Sequence, residues 1–264
     1  MGSSVKAHQE GSVLRLTMDR PEKRNALNQE LVLELTAALQ KAGSDESIRA
    51  IVLTGEGSVF SAGADLESLR ALRTASKADN ERDSQSIATL FRTIYTHPSI
   101  IVARVNGHAI AGGCGLVAAA DFAVASDTAR FGFTEVRIGF VPAIVSAFLV
   151  RKLRGADVRR LLLGGELITA DEAARICLVN RCVPDAQLDS AVNELVAKLT
   201  RETSGTAVSL TKELLSQVRD LPFEDALDYA TAMNVRARET EDCRAGVDAF
   251  LAKEPPPWKA GTDQ

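Results

Sequence analysis

Three short segments of this chain carry residue types suited to moving a proton beside a developing oxygen anion. The first is Asn106-Gly107-His108-Ala109-Ile110-Ala111-Gly112-Gly113-Cys114-Gly115. Glycine lets a ligand come close to the backbone. A helix that opens near Gly112 and Gly113 presents unpaired N–H groups and the positive end of its dipole. The second segment is Gly63-Ala64-Asp65-Leu66, where the Ala64 N–H would stand at the start of another helix. One N–H from each segment could bind a single oxygen, as an oxyanion hole does. The third, Phe131 to Gly139, places Glu135 among apolar neighbours. Partial loss of water there would raise its pKa toward a value useful for proton transfer.

Each segment also has a plainer reading. Asp65 can simply cap a helix and Gly63 turn the chain. Glycines and alanines also allow close packing of strand on helix. Glu135 could be solvated, or paired with Arg137.

Other chemistries find little support. The glycine segment is neither a dinucleotide fingerprint nor a P-loop, because no Gly-Lys-Ser/Thr follows. No Ser-His-Asp or Cys-His pattern stands out. His8 and His97 sit in exposed-looking contexts, and His108 reads as a packing residue rather than a base. Cys114, Cys177, Cys182 and Cys243 show no CxxC pair and no zinc spacing, so they read as free thiols in a reducing compartment. Cys114 reads as a small core residue. A net charge of −4 offers no broad basic surface for nucleic acid. The polar start, Met1 to Glu10, lacks the apolar core of a signal peptide, and no window reaches the length of a membrane span. The expectation is a cytoplasmic protein with no metal.

The elements that must position these segments alternate between strand and helix. Strands are expected at 13–18, 50–54, 100–105, 122–125 and 179–183. Asn28 should cap a helix that stops near Gly43. Further helices are expected from Leu66, over 87–95, over 113–120 and over 143–153, the last with Pro142 at its entrance. Residues 73–83 are polar and weakly periodic and read as a mobile loop or loose helix. Thr169-Ala170-Asp171-Glu172 has a capping-box pattern. After Pro184 only helices are expected, over 188–199, 207–218, 223–238 and 244–253. The fold class is therefore α/β, built from stacked strand–helix layers. Periodicity does not distinguish a spiral of such layers from a doubly wound sheet.

The chain closely resembles the crotonase superfamily, the enoyl-CoA hydratase/isomerase family. The resemblance rests on Arg20-Pro21-Glu22-Lys23-Arg24-Asn25-Ala26-Leu27-Asn28, Phe60-Ser61-Ala62-Gly63-Ala64-Asp65-Leu66 and the segment Asn106–Gly115. It also rests on Phe131-Gly132, Glu135, Gly139 and Pro142, and on Gly246-Val247-Asp248-Ala249-Phe250-Leu251. It implies a ββα spiral core with an acyl-CoA site over residues 1–200, and a C-terminal helical trimerisation region over 201–264. It further implies homotrimers that can pair into hexamers. The N–H groups of Ala64 and Gly112 would hold the thioester oxygen. Arg24, Ala26, Leu27, Ala62, Asp65, Leu66 and Gly113 would line the coenzyme A channel, and Phe250 and Lys253 would reach the coenzyme A of a neighbouring subunit. No separate cofactor is implied, since coenzyme A belongs to the substrate.

Two departures from the family pattern bear on function. Hydratases of the family use two glutamates, and Gly115 stands where one of them is expected, leaving Glu135. The glycine-rich stretch after the proline is replaced by Ala143-Ile144-Val145-Ser146. The expected activity is hydration of a 2-enoyl-CoA, including branched thioesters such as 3-methylglutaconyl-CoA, which the resemblance to a bacterial group suggests. A Δ3,Δ2-enoyl-CoA isomerase with Glu135 as sole acid/base is the alternative, and a non-catalytic acyl-CoA-binding protein is the third reading.

Overall fold

The computed structural model describes residues 3–259. Residues 1, 2 and 260–264, the outer ends of the two expected regions, lie outside them. A hairpin, β1 (Val5–Glu10) and β2 (Val13–Met18), opens the chain and is followed by α1 (Gln29–Gly43). Asn28 caps α1 by accepting from the Leu31 N–H at 2.9 Å.

The chain then repeats one pattern three times. β3 (Ala50–Gly55) is followed by β4 (Val59–Ser61), α2 (Leu66–Leu72) and α3 (Lys77–Tyr95). β5 (Ile100–Val105) leads to β6 (His108–Ile110) and α4 (Gly112–Ala119). β7 (Phe122–Ser126) leads to β8 (Arg130–Gly132), α5 (Ala143–Lys152) and α6 (Gly155–Gly164). After β9 (Leu167–Thr169), α7 (Ala170–Arg175) and β10 (Arg181–Val183), four α-helices remain among the described residues: α8 (Leu188–Arg201), α9 (Gly205–Val218), α10 (Phe223–Arg238) and α11 (Glu241–Ala252).

In each repeat the first strand joins one sheet and the second strand joins another. The larger sheet has the order β1-β2-β3-β5-β7-β10 and the smaller β4-β6-β8-β9. Neighbours are parallel from β2 to β10 and from β4 to β8. A doubly wound fold would keep these strands in one sheet. The alternation between two sheets makes the chain a coil of ββα turns, the spiral the resemblance implied.

Burial explains the uninterrupted apolar strands. All six residues of β3 are buried, as expected when both faces of a parallel sheet are covered. On one face Ala50, Val52, Val102 and Val124 meet Leu188, Val192 and Val196 of α8. The other face belongs to the main core, with Leu31, Leu35 and Leu39 of α1, Phe91 of α3 and Leu116 of α4.

Several expectations change. The polar start contains β1, an edge strand with only Val5 buried, so it contributes backbone pairing and carries no apolar alternation. Of the two readings of 73–83, loop or loose helix, the helix holds from Lys77 onward. Ser76 and Asp79 form a reciprocal capping box that starts α3 at Lys77, and periodicity was weak because its first turns stand in solvent. α6 went unread. At Thr169 half of the expected box forms: its hydroxyl accepts from the Glu172 N–H at 3.1 Å, while the Glu172 carboxylate pairs with Arg160 and Arg175. His97 is buried rather than exposed, with Nε2 3.0 Å from the Leu39 carbonyl and Nδ1 accepting from the Ser99 N–H. Burial lowers its pKa. His108, by contrast, is exposed and not a packing residue, because β6 turns it outward.

Candidate active site

The smaller sheet brings the three segments together. β6 lies between β4 and β8 and is parallel to both, with Ser61 opposite Ala109 and Ile110 opposite Gly132. All three strands therefore end on the same side. Ala64 follows β4, Gly112 follows β6 and Glu135 follows β8, so three successive turns of the coil deliver the three candidate groups to one edge.

The two backbone junctions are tightly defined. Gly63 has φ +86°, and a Cβ there would fall 2.8 Å from both the Ala111 Cβ and the Ile110 carbonyl oxygen, and 3.5 Å from the Gly112 nitrogen. Only glycine allows this approach. Ala111 itself has φ 50° and ψ −122°, a strained conformation for a residue with a Cβ. It is held by donation from its N–H to the Gly132 carbonyl at 2.8 Å. On the other side the Leu27 N–H donates to the Gly63 carbonyl at 2.7 Å, and the Asp65 N–H donates to the Leu27 carbonyl at 3.0 Å. The backbone bonds of the described residues leave the N–H groups of Ala64 and Gly112 without a carbonyl partner. Ala64 is exposed and Gly112 half-buried, and the two donors stand at adjoining junctions.

Asp65 supports the first junction. It caps α2 through the Glu67 and Ser68 N–H groups and forms a buried ion pair with Arg20 at 3.0 Å. Burial works against ionisation of this carboxyl, but the Glu67 N–H and Arg20 together hold it below the usual carboxylate range. Arg20 also donates to the Ala26 carbonyl at 2.5 Å. Asn25, buried with φ 52°, accepts from the Arg20 N–H and donates to the Glu56 and Val59 carbonyls. Arg20 and Asn25 belong to the motif Arg20–Asn28 quoted from sequence, which gave them no role as supports, and no spacing rule would have assigned one.

Glu135 opens a short 3-10 turn, Glu135–Ile138. Its Oε2 is buried and accepts no hydrogen bond from the described residues. Burial raises its pKa, and hydrogen bonding from its own backbone offsets this in part. Arg137 is exposed and its stem lies against Gly165, so the pairing considered from sequence does not form. Cys114, in the first turn of α4, is buried as expected. Burial pushes its thiol pKa up, and the charge of Glu135 pushes it further in the same direction. Glu135 is thus electrostatically close to the first turn of α4.

The two departures from the family pattern touch each other. A Cβ at Gly115 would fall 2.5 Å from the Val145 Cγ1 and 3.0 Å from the Phe91 Cε1 and Cζ. Val145 belongs to the stretch that replaces the glycine-rich one. Apolar side chains therefore fill the space that a residue larger than glycine would need at 115.

The remaining candidate residues divide. Ala26 and Leu27 are buried beside the first junction, Gly113 is buried under Ser61, and Ala62 is half-buried. Arg24 and Leu66 are exposed on that edge. Phe250 and Lys253 lie at the end of α11, which packs on α9, α10 and the turn Pro257–Lys259, and the single chain does not bring them to the other groups. The groove between α3 and α5, about 400 Å³ and lined by Arg92, Tyr95, Ile144, Phe148 and Arg151 among others, contains none of Ala64, Gly112 or Glu135. The free donors and the unpartnered Glu135 Oε2, not concavity, distinguish the candidate site.

Comparison with known proteins agrees with this architecture. The sequence model for the enoyl-CoA hydratase/isomerase family matches residues 8–261. The chain belongs to the enoyl-CoA hydratase/isomerase family. A Thermus thermophilus protein that bears enoyl-CoA hydratase as a provisional name is 41% identical over 248 residues, 94% of this chain and 98% of that one. The 2,3-dehydroadipyl-CoA hydratase of Escherichia coli is 33% identical over 249 residues, 94% of this chain and 95% of that one. Among solved structures, an enoyl-CoA hydratase from Mycobacterium smegmatis superposes with a TM-score of 0.91 at 31% identity, covering 97% of this chain and 98% of that one. Among the described residues, no helix of this family member is long and apolar enough to cross a membrane.

Proposed function

We propose that the protein is an enoyl-CoA hydratase that adds water to the double bond of a 2-enoyl-CoA thioester, or removes it in reverse. The observation that carries this reading is the pair of N–H groups without a carbonyl partner on the edge of the smaller sheet that also delivers Glu135, whose Oε2 is buried and accepts no hydrogen bond from the described residues. The Ala64 and Gly112 N–H groups would hold the thioester oxygen. Glu135 would take a proton from water as the water oxygen bonds to the β-carbon, and the electron pair of the double bond would move into the thioester enolate. The oxygen's new negative charge would lie between preorganised donors. Glu135 would then return the proton to the α-carbon. One carboxylate serving both steps predicts addition of hydrogen and hydroxyl to the same face.

The Gly115 wall supports a second reading. With no second acid, Glu135 could move one proton between the α- and γ-carbons of a 3-enoyl-CoA, which is isomerisation. A branched or dicarboxylic acyl group, such as 3-methylglutaconyl, is the finer substrate assignment we favour; the name of the E. coli relative supports a thioester with a distal carboxylate. The Arg24–Leu27 stretch and Ala62, Asp65, Leu66 and Gly113 would line the coenzyme A channel.

Exposed apolar side chains on the C-terminal helices support assembly into homotrimers, and of trimers into hexamers. Phe223 is 75% exposed, Phe250 81% and Leu251 73%. In such an assembly Phe250 and Lys253 would reach a neighbour's coenzyme A.

Incubation with crotonyl-CoA, 3-methylglutaconyl-CoA and a 3-enoyl-CoA, followed by mass spectrometry, separates the readings. Hydration adds the mass of one water, and isomerisation leaves the mass unchanged. Isomerisation alone would overturn the hydratase assignment. Binding of coenzyme A esters without turnover would mark a non-catalytic binder.

A further inference from the structure

α4 carries the Gly112 donor at one end and an unexplained charge at the other. Gly113 to Ala119 are all buried, so water does not screen the helix along its length. At its far end the Lys152 ammonium donates to the Val117 and Ala120 carbonyls, both at 3.1 Å. These are among the carbonyl groups that a helix C-terminus leaves unpaired. Lys152 ends α5, the helix that also supplies Val145 to the wall over Gly115. Lys152 is half-buried and its ammonium is withdrawn from water, although a methionine or leucine would fill the space without the cost of burying a charge. The neighbouring carboxylate, Asp121, pairs with Lys212 of α9 and accepts from the Ile101 N–H, and its charge also favours the Lys152 ammonium.

We propose that Lys152 is a positioning residue for the reaction: its ammonium caps the C-terminus of α4, cancels the negative end of the helix dipole, and so strengthens the field that the Gly112 N–H end applies to the thioester oxygen. This rests on the assignment of Gly112 to the oxyanion hole. An uncapped helix of eight residues presents a negative end opposing its positive one. Replacing that end with a fixed cation leaves both ends favouring an anion at Gly112. The reach of the charge along α4 shows at Cys114, in the first turn, where Lys152 favours the thiolate against the larger effect of burial. Burial in turn lowers the pKa of Lys152 to about 8.

The separation between the ends of α4 is about 12 Å. At an effective dielectric of about 20, a unit charge at that distance alters the stability of a full oxyanion by about tenfold. Partial charge in the transition state gives about three- to tenfold.

The test uses the full protein, an enoyl-CoA it turns over, and cinnamoyl-CoA, whose absorption moves to the red as its carbonyl is polarised. Lys152→Gln keeps a donor for the carbonyls and removes the charge; Lys152→Arg keeps the charge. The Gln variant should bind the thioester as wild type does, lose about three- to tenfold in kcat, and show a smaller red shift of bound cinnamoyl-CoA. The Arg variant should retain both. Wild-type kcat and red shift in the Gln variant would overturn the proposal, as would a loss of kcat with an unchanged red shift.

If the Gln variant does not fold, the wild-type red shift should shrink as pH rises through about 8, while that of Lys152→Arg stays flat. Tyr95, Cys114, Asp121, Arg151 and Lys212 also face this region, and the Arg variant leaves all five in place. A wild-type shift that does not change with pH, or that changes equally in Lys152→Arg, would overturn the proposal. Absence of both turnover and red shift in the wild type would instead overturn the oxyanion-hole reading itself.

Discussion

The contact between Gly115 and Val145 can be measured as an energy. A methyl group added at Gly115 would lie 2.5 Å from the Val145 Cγ1 and 3.0 Å from two atoms of the Phe91 ring. Val145 is 5% exposed and Phe91 fully buried, so neither has open space to move into. Overpacking of this kind costs about 1–3 kcal/mol. Alanine in place of glycine inside a helix returns about 1 kcal/mol. Gly115→Ala should therefore destabilise the fold by up to about 2 kcal/mol.

Val145→Ala removes the clashing methyl and leaves a small cavity, costing about 1.5–3 kcal/mol. In the double variant the new methyl occupies part of that cavity. The two changes should be non-additive, with a coupling of about 1–2 kcal/mol in the favourable direction. Urea denaturation of wild type, both single variants and the double variant gives the four free energies. Additivity within about 0.5 kcal/mol would refute the argument that Val145 occupies the place of the missing acid. The same logic predicts that Gly115→Glu alone disrupts the fold, whereas Gly115→Glu with Val145→Gly is tolerated and raises hydration relative to isomerisation.

Other perturbations test single groups. Glu135→Gln should nearly abolish turnover yet raise the melting temperature at neutral pH. A carboxyl whose native pKa is raised loses stability as pH climbs through that range, and the amide carries no charge to desolvate; wild-type turnover would remove Glu135 from the mechanism. Gly63→Ala should cost more than about 2 kcal/mol, because the new Cβ meets Ala111 and Ile110 at 2.8 Å and φ is +86°, and a neutral effect in thermal denaturation would contradict the junction geometry. Arg20→Met strands the Asp65 carboxylate and should cost about 3–5 kcal/mol. Because the native pKa of Asp65 is lowered, its contribution is present above the ordinary carboxylate range and fades as pH falls through the native value. The penalty of Arg20→Met should accordingly shrink in acid, as pH-dependent melting would reveal.

Much of this architecture was legible where one residue type has one local use. Asn28 and Asp65 cap helices because short polar side chains reach free N–H groups. The apolar runs 50–54 and 100–105 form strands covered on both faces. What sequence could not give is pairing across the coil. Nothing local says that Ser61 stands opposite Ala109 or that Ile110 stands opposite Gly132, and those pairings set the candidate groups side by side. His97 misled because proline after it suggests a surface turn, while the turn lies beneath α1. Gly115 and Val145 each looked like a separate departure, and only the packing of α4 on α5 relates them.

The coil has a consequence for how such a site can change. Ala64, Gly112 and Glu135 occupy three separate strand exits, and each exit is anchored by its own strand pairing. Revising one exit changes a single candidate group and leaves the other two in register. The chain is built like a rack with interchangeable slots. The exit after β8, which ends in a short turn and an exposed loop, is the slot with the fewest constraints on what it holds.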